Sequence, residues 1–465
     1  MELRPHVIYR PASPTTLGAP PFTPLELRRA YNFEPLYLRG INGSGTRIAI
    51  VDAFGDPTLS SDLARFDAMT GLPNPTVNFF FPDGQPKRTS SNWAVETSLD
   101  VEWAHAIAPG ATIDLVVAFD ASLGSIFDGI AFVANSLPNE TVLSMSFGLS
   151  ESSYPTTGSF TIAATHQLFA TITGHGTTPF ASSGDSGATS CCNAQYPSSD
   201  PLVVAVGGTS LTLNSTAFYV AESAWSGSTA GSSIVYSKPA WQQGLGDSNR
   251  DTVDVSYDAD PNTGVLVESG GKLFQVGGTS AGAPQWAALM ALASQANSAK
   301  YGAAQPLLYK ISSYHDITIG SDGFFAATKG WDYPTGLGSP NANSTISAAA
   351  AGDFNLIAST TSLSLQAGSP GTSSITLNSI GVFSGNVTLT ASVSSPLLSV
   401  SLSPTVISLS LGKSGMSTLK VTAAAVGDYT ITLTGSSGAL SHSLSVTATV
   451  SSAAGGSGGG RIIAT

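Results

Sequence analysis

Hydrophobic and polar positions repeat with two different periods along the chain. From residue 23 to about residue 353, short apolar runs alternate with stretches in which apolar residues recur every three to four positions. This alternation predicts βαβ units, that is, a mostly parallel sheet with helices on both faces. Ligands of such sheets bind beyond the carboxyl ends of the strands. The predicted elements span residues 47–53, 92–107, 113–119, 126–135, 142–147, 160–172, 179–182, 202–206 and 285–296.

The helical period stops near Gly352. Residues 359–450 are rich in Ser, Thr, Val and Leu and alternate with period two. Seven short strands separated by Gly or Pro turns predict a β-sandwich of the immunoglobulin kind. The domain prediction is therefore a linker or propeptide remnant at 1–22, an α/β domain at 23–353, a β-sandwich at 354–450 and a flexible Ser/Gly-rich tail at 451–465.

Charged side chains make up 10% of the 465 residues, well below the usual quarter. With 18 basic and 30 acidic residues the formal net charge is -12, so we expect no nucleic-acid partner. In acid the carboxylates become neutral and the few bases repel one another little, which suits a protein that works at low pH. Charge-poor adhesins and other secreted β-rich chains share this composition. No apolar run approaches the length of a membrane span.

Ser280 is the first candidate for chemistry. It lies in Gly-Gly-Thr-Ser-Ala-Gly-Ala-Pro (277–284), directly before the apolar helical run at 285–296. Glycines allow a strained turn to expose the hydroxyl and a substrate backbone to approach, and a helix N-terminus offers free N–H groups to a developing anion. A serine at this place is also a common helix N-cap, and the segment alone does not distinguish the two roles.

Glu96 and Asp100 lie four residues apart in a predicted helix that ends at Pro109-Gly110. They therefore share one helical face, and two carboxyl groups that share a site usually share a proton. A solvated acidic face is the alternative, but the helix is largely apolar. Asp185 follows an apolar strand in Phe-Ala-Ser-Ser-Gly-Asp-Ser-Gly (180–187), which puts a carboxylate at the strand's carboxyl end. An aspartate that caps its own turn is the alternative there.

These motifs together resemble the sedolisins, serine-carboxyl peptidases related in fold to subtilisin. The resemblance rests on Glu-x-x-x-Asp followed by Ala-Pro-Gly, on Ser-Ser-Gly-Asp-Ser-Gly and on Gly-Gly-Thr-Ser-Ala-Gly-Ala-Pro, in the family's order over residues 23–345. It implies a subtilisin-like doubly wound sheet and makes Ser280 the nucleophile, Glu96 the general base, Asp100 its orienting partner and Asp185 the oxyanion-hole donor. A carboxyl group donates a hydrogen bond only when it is protonated, so the device requires acid or a raised pKa. Asp52, at the end of the first strand, either extends this network or caps its strand.

The resemblance also implies one structural calcium ion. Its ligands would be the carboxylates of Asp316 and Asp332 with the carbonyl groups of Ile317, Thr328 and Gly330, an all-oxygen set that suits a hard cation. It further implies polypeptide substrates, secretion into an acidic extracellular medium and a zymogen whose own N-terminal propeptide is removed. The chain begins near the mature boundary, so we expect a processed or trimmed form. We expect a monomer.

Several alternatives stay open. Within the family, an endopeptidase is favoured over a tripeptidyl-peptidase because no inserted loop that would block the cleft is evident. An ordinary subtilisin triad would need a histidine soon after Asp52, whereas His175 lies more than a hundred residues further on. An inactive peptidase-like surface or adhesive protein is the alternative from a different class. The adjacent Cys191 and Cys192 are either free thiols or a strained vicinal disulfide.

Overall fold

A computed structural model describes residues 2–13, 16–349, 352–380, 383–410, 413–438 and 440–452. Most of the predicted tail, residues 453–465, lies outside the described residues. The chain divides into two compact units. The first contains Met1–Asp353 with the short segments Ser379–Phe383 and Leu411–Lys413, and the second contains Phe354–Asn378, Ser384–Ser410 and Ser414–Thr465.

Strands and helices alternate through much of the first unit. Its strands are β1 (Arg4–Pro5), β2 (Ile8–Pro11), β3 (Arg47–Ala53), β4 (Thr76–Phe80), β5 (Thr112–Ala118), β6 (Val142–Met145), β7 (Phe147–Ser150), β8 (Thr178–Ser182), β9 (Gln195–Tyr196), β10 (Val204–Leu213), β11 (Tyr219–Ala224), β12 (Gly231–Ser237), β13 (Asn249–Thr252), β14 (Val255–Asp258), β15 (Val265–Ser269), β16 (Lys272–Gly277), β17 (Tyr314–His315) and β18 (Ser339–Pro340). Its α-helices are α1 (Pro24–Ala30), α2 (Glu34–Tyr37), α3 (Leu59–Thr70), α4 (Ser91–Ile107), α5 (Leu123–Ser136), α6 (Ile162–Gly174), α7 (Gly282–Asn297), α8 (Gln305–Leu308) and α9 (Ala342–Ala349).

The central sheet of this unit has eight strands. Seven follow the order β11-β10-β8-β6-β3-β5-β4, and β14 also pairs with β10. All neighbours run parallel except β10 and β11. The carboxyl ends of β3, β6 and β8 therefore lie side by side at one edge of the sheet. The predicted α/β class with a mostly parallel sheet is confirmed.

Two helices, α4 and α7, are buried along nearly their whole length. Residues 95–107 of α4 and 282–294 of α7 are all buried. Helix α7 is apolar on most of its surface, which suits the interior, and its small residues Ala287, Ala288 and Ala291 allow close packing. Helix α4 buries charged side chains as well. Pro284 lies in the first turn of α7, where its missing N–H has no intrahelical partner to lose. Side chains on these two helices thus have fixed positions.

The N-terminal segment, predicted as a linker or propeptide remnant at 1–22, contains two short strands. Strand β1 pairs with β7 and strand β2 pairs with β16, both antiparallel, and Leu3 and His6 are buried. The prolines at positions 5 and 11 do not prevent this, because each stands at the end of its short strand, where a missing N–H is tolerated. Residues 4–11 are therefore part of the first unit's structure.

The second unit is built of β-strands, as its period-two pattern predicts. In its described residues nine strands form a four-stranded sheet, β19-β21-β25-β23, and a five-stranded sheet, β20-β27-β26-β22-β24. They are β19 (Asp353–Ala358), β20 (Ser362–Gln366), β21 (Pro370–Ile380), β22 (Gly385–Val393), β23 (Leu398–Ser403), β24 (Val406–Leu409), β25 (Ser414–Ala423), β26 (Gly427–Ser437) and β27 (Leu440–Ser451). The seven predicted strands did not include β19, whose sequence lacks period-two alternation, or β24, which has only four residues.

Candidate active site

Two carboxylates lie one turn apart on the buried helix α4. Glu96 and Asp100 are both inaccessible to solvent. Ser146, which directly follows β6, donates its hydroxyl proton to Asp100 Oδ1 over 2.8 Å. Because β6 ends at the carboxyl edge of the sheet, the pair faces that edge and is not a solvated acidic surface.

Ser280 lies in a single 3-10 turn, Thr279–Ala281, between β16 and α7. Its side chain is buried, and its hydroxyl donates to the carbonyl oxygen of Ser146 at 3.3 Å. The same hydroxyl is close enough to Glu96 to lower the pKa of that carboxyl against the larger effect of burial. Three distant parts of the sequence thus bring Ser280, Glu96 and Asp100 together around Ser146.

Asp185 follows strand β8 and contacts the serine turn at Thr279. Its Oδ1 accepts hydrogen bonds from the backbone N–H of Thr279 at 2.7 Å and from the Thr279 hydroxyl at 2.9 Å. Burial nevertheless raises the pKa of Asp185 to about 7. Its Oδ2 faces Gly278, where an added Cβ would come within 2.4 Å. Below neutral pH the carboxyl group is therefore protonated, and Oδ2, which is free of the Thr279 donors, is the oxygen that can donate.

Electrostatics couples these carboxyl groups. Burial raises the pKa of Glu96 well above its ordinary value, and the charges of Asp100, Asp52 and Asp185 raise it further. Burial and the charge of Asp52 likewise raise the pKa of Asp100. Asp52, at the end of β3, has a pKa raised by burial to about 7. Like charges this close cannot all ionise, so the cluster retains protons into the neutral range. Of the two roles considered for Asp52, its electrostatic contact with both residues of the pair favours the extended network.

The chain's own residues 4–11 run past Ser280. Arg4 of β1 lies opposite Gly148 of β7 in an antiparallel pair. Two residues on, the His6 N–H donates to the Ser146 carbonyl oxygen at 3.2 Å, and the His6 carbonyl oxygen accepts from the Ser280 N–H at 3.2 Å. Strand β2 then continues along β16. An extended peptide therefore lies in a groove with one carbonyl oxygen against the backbone of Ser280.

The His6 side chain fills a polar pocket beside the serine. Its Nδ1 lies 2.7 Å from the Ser182 hydroxyl, and the Gln195 side chain also hydrogen-bonds the ring. Burial lowers the pKa of His6 to about 4, so the ring is neutral above that pH. Neither these contacts nor that of Ser146 could be identified from the sequence. Serines at strand ends carry no signal by themselves, and His6 lay in the segment expected to be a linker.

The five predicted calcium positions lie in one loop region. Asp316 accepts the Gly330 N–H at 3.0 Å, and Asp332 accepts the Thr328 N–H at 2.7 Å. Burial, together with the charge of Asp316, raises the pKa of Asp332 to about 6, so the two carboxylates are near enough to repel. In the described residues no cluster of three or more His, Cys, Asp or Glu side chains could hold a metal ion. The predicted set has only two carboxylates and relies on carbonyl groups, and an all-oxygen set of this kind fits Ca²⁺.

His175 does not join the serine. It is exposed at the end of α6, just before β8 begins, whereas Asp185 follows the other end of that strand. The imidazole therefore lies towards the opposite edge of the sheet, which argues against the subtilisin-type triad. Cys191 and Cys192 are exposed free thiols with their Sγ atoms 2.8 Å apart. Among the described helices, none has the length and apolar character needed to cross a membrane.

The fold and the site define an α/β protein in which a serine meets buried carboxyl groups at the carboxyl edge of a parallel sheet. The chain is 34% identical over 351 residues to kumamolisin from Bacillus sp. (strain MN-32), covering 69% of this chain and 62% of that protein. It is 30% identical over 333 residues to sedolisin from Pseudomonas sp. (strain 101), covering 64% and 56%. Tripeptidyl-peptidase 1 from Dictyostelium discoideum is 29% identical over 322 residues, covering 60% and 51%.

A solved structure, Pseudomonas sedolisin (serine-carboxyl proteinase) complexed with two molecules of pseudo-iodotyrostatin, is similar with a TM-score of 0.64 and 27% identity. The match covers 72% of this chain and 98% of that one. No family model matches the sequence. The chain belongs to the sedolisin family. It spans about three fifths of the length of the curated relatives that it matches.

Proposed function

We propose that this protein is an acid-active serine-carboxyl endopeptidase. The observation that carries the proposal is the peptide in the groove, whose His6 carbonyl oxygen accepts the Ser280 N–H at 3.2 Å while β1 and β2 pair with the walls on either side. A polypeptide substrate bound in the same way would present a peptide carbonyl group beside the serine hydroxyl.

The reaction would then proceed through an acyl-enzyme. Ser280 Oγ attacks the carbonyl carbon while Glu96 takes the hydroxyl proton and Asp100 orients Glu96. The oxyanion receives hydrogen bonds from the Ser280 N–H and from protonated Asp185. Collapse of the intermediate breaks the C–N bond, and Glu96 returns the proton to the leaving amine. Water, activated by the same carboxylate, hydrolyses the ester and frees Ser280.

Acid activity follows from the state of Asp185. Its raised pKa of about 7 supports a donor role at acidic pH, and ionisation above neutrality would replace the donor by a negative charge beside the oxyanion. The cluster of Glu96, Asp100 and Asp52 retains protons over the same range, so one ionised group among neutral partners can act as the base.

The length of the groove supports an endopeptidase. Leu3, Arg4 and Pro5 lie before His6 within the groove, and the Leu3 N–H donates to the Ala121 carbonyl oxygen at 2.8 Å. An extended chain thus continues beyond the third residue from the attacked carbonyl group, where a tripeptidyl-peptidase must stop. Because the relatives include a tripeptidyl-peptidase, that activity is the alternative within the family.

N-terminal acetylation separates the two activities. Mass spectrometry of the products from a ten-residue peptide, with a free or an acetylated amino terminus, would be recorded at pH 4. An endopeptidase cleaves both forms at the same internal bond, with rates within about threefold because the terminus lies outside the groove. Release of tripeptides from the free form alone would establish the tripeptidyl-peptidase instead. Absence of any cleavage by folded protein would favour an inactive, peptidase-like surface protein.

The same proposal includes a calcium site, a propeptide, an extracellular location and the type of the second unit. Asp316, Ile317, Thr328, Gly330 and Asp332 would hold one structural Ca²⁺, which would neutralise the two facing carboxylates. A propeptide of the protein would bind the groove before maturation, as residues 4–11 do here. The enzyme would act outside the cell in an acidic medium as a monomer. The second unit would be an immunoglobulin-like sandwich appended to the peptidase.

A further inference from the structure

Among the described residues before His6, which are residues 2–5, Leu3 is the buried apolar side chain. Only 3% of its surface is exposed, whereas Arg4 projects into solvent and Pro5 is half-buried. On the amino side of the attacked carbonyl group, the enclosed positions are those of His6 and Leu3.

The pocket around Leu3 is built from α5, the strands β7 and β9, the start of α6 and the segments next to them. Its apolar lining includes Ile126, Phe127, Ile130, Phe147 and Phe160. Phe127 and Phe160 meet edge to face with ring centroids 5.5 Å apart and form part of its wall. A cavity of about 20 Å³ remains among these side chains, so Leu3 does not fill the pocket.

The chemistry of this lining is selective. The described lining contains no charged side chain, and its polar side-chain groups are the hydroxyl groups of Thr165, Tyr154 and Tyr196. Burial of a leucine side chain is favourable, whereas a carboxylate would lose its hydration without gaining a cation. The backbone next to the pocket is also fixed, because the Leu3 N–H is held by the Ala121 carbonyl oxygen.

We infer that this pocket is a specificity subsite, which selects substrates with a large aliphatic or aromatic side chain three residues before the residue whose carbonyl carbon is attacked. The inference rests on the proposed peptidase function. It concerns substrate choice, and Phe127 and Phe160 act by binding the peptide without contacting the reacting atoms.

Peptides that copy the chain's own segment test the inference. Acetylated substrates X-Arg-Pro-His-Val-Ile, with X as Leu, Phe, Ala or Asp, would be compared by kcat/KM at pH 4. We expect Leu and Phe to exceed Ala by about 10- to 100-fold, the range set by burial of such a side chain, and Asp to be poorer than Ala. Equal rates for all four peptides would overturn the subsite while leaving the peptidase intact. If even denatured casein resists cleavage, the proposed function itself fails.

Variants of two phenylalanines on one helix provide a matched pair. Phe127→Ala removes part of the wall and should reduce the preference for Leu over Ala, taken as the ratio of the two kcat/KM values, by at least threefold. Phe132→Ala is the control, since Phe132 lies on the same helix but packs against Phe80, with centroids 5.4 Å apart. An equal effect of both variants would mean that the preference reflects stability of α5 and not the pocket.

A binding readout is independent of activity. Leu3→Asp in the full chain should release residues 2–8 from the groove, and hydrogen exchange at the backbone amides of positions 3 and 6 should accelerate by at least tenfold. Arg4→Asp is the control, because its side chain points into solvent. Unchanged protection in Leu3→Asp would show that the pocket contributes nothing to peptide binding and would contradict the inference.

Discussion

The backbone N–H of Ser280 donates to the carbonyl oxygen of His6 at 3.2 Å. Gly278 makes this approach possible, because a Cβ at that position would come within 2.2 Å of the same oxygen and 2.4 Å of Asp185 Oδ2. Its φ of 107° also lies in the region that favours glycine. The glycine turn therefore shapes both the groove and the contact with the carboxyl group.

Replacement of this glycine should damage binding and stability together. We expect Gly278→Ala to lower kcat/KM by at least a hundredfold, since the methyl group occupies the position of the substrate carbonyl, and to cost about 1–3 kcal/mol of unfolding free energy from backbone strain. Gly84→Ala is the control, because Gly84 has φ of 86° with nothing within 4 Å of an added Cβ. Gly84→Ala should therefore lose unfolding free energy through backbone strain while its activity stays normal. Full activity of Gly278→Ala would contradict the assigned groove.

Asp185→Asn separates the donor role of Asp185 from its charge. An amide donates at every pH, so the fall in activity as pH rises through about 7 should diminish in this variant. Asp185→Ala has no donor and should lose about 10²–10³-fold in kcat at every pH. The measurement is kcat against pH for the three proteins. An unaltered alkaline limb in Asp185→Asn would assign that limb to another group.

Stability should increase on acidification. The folded pKa of Asp52, about 7, lies above its unfolded value of about 3.9, so the native state binds more protons between these values. Its stabilising contribution is complete below pH 4 and is lost as pH rises through 7, with a slope of up to about 1.4 kcal/mol per pH unit. Thermal unfolding at pH 4.5, 6 and 7.5 should show a lower Tm at higher pH, and a smaller decrease in Asp52→Asn. The exposed Asp83→Asn is the control; an equally flattened profile there would refute this assignment.

Calcium should stabilise the protein through Asp316 and Asp332. If Ca²⁺ binds the native state alone, a concentration of 100 times its Kd adds about 2.7 kcal/mol, and Tm should rise accordingly. Asp316→Asn should abolish most of this rise, while Asp83→Asn should retain it. The measurement is Tm in 1 mM CaCl₂ and in EDTA. Equal Tm values in CaCl₂ and in EDTA would contradict the proposed calcium site.

Local patterns predicted much of the fold. The apolar run at 47–53 corresponds to β3, the run at 142–147 contains β6, and the largely apolar stretch at 285–296 lies in α7, because buried elements are rich in apolar residues. The motif residues around Ser280 and Asp185 could be identified for a related reason, since glycine turns and strand ends are local features. That Ser280 and Asp185 lie close to Glu96 could be seen only in the tertiary structure.

The groove could not be predicted from the sequence. Residues 4–11 contain two prolines and no clear alternation, and their partners β7 and β16 lie more than 130 residues away in the chain. Pairing between distant edge strands depends on geometry that no local pattern encodes. The contacts of His6 and Leu3, and with them the subsites, therefore emerged only from the fold.

The central claim is that Ser280 and Glu96 act together in acid. Hydrolysis of a denatured protein from pH 2 to 8 by the unaltered chain, by Ser280→Ala and by Glu96→Gln tests it most directly, with circular dichroism to verify that each variant folds. We expect cleavage by the unaltered chain to peak in acid. In both variants kcat should fall by at least about 10³-fold, because the loss of either member of a cooperating pair removes the function of both. Activity that survives Glu96→Gln, or that peaks near neutrality, would contradict it.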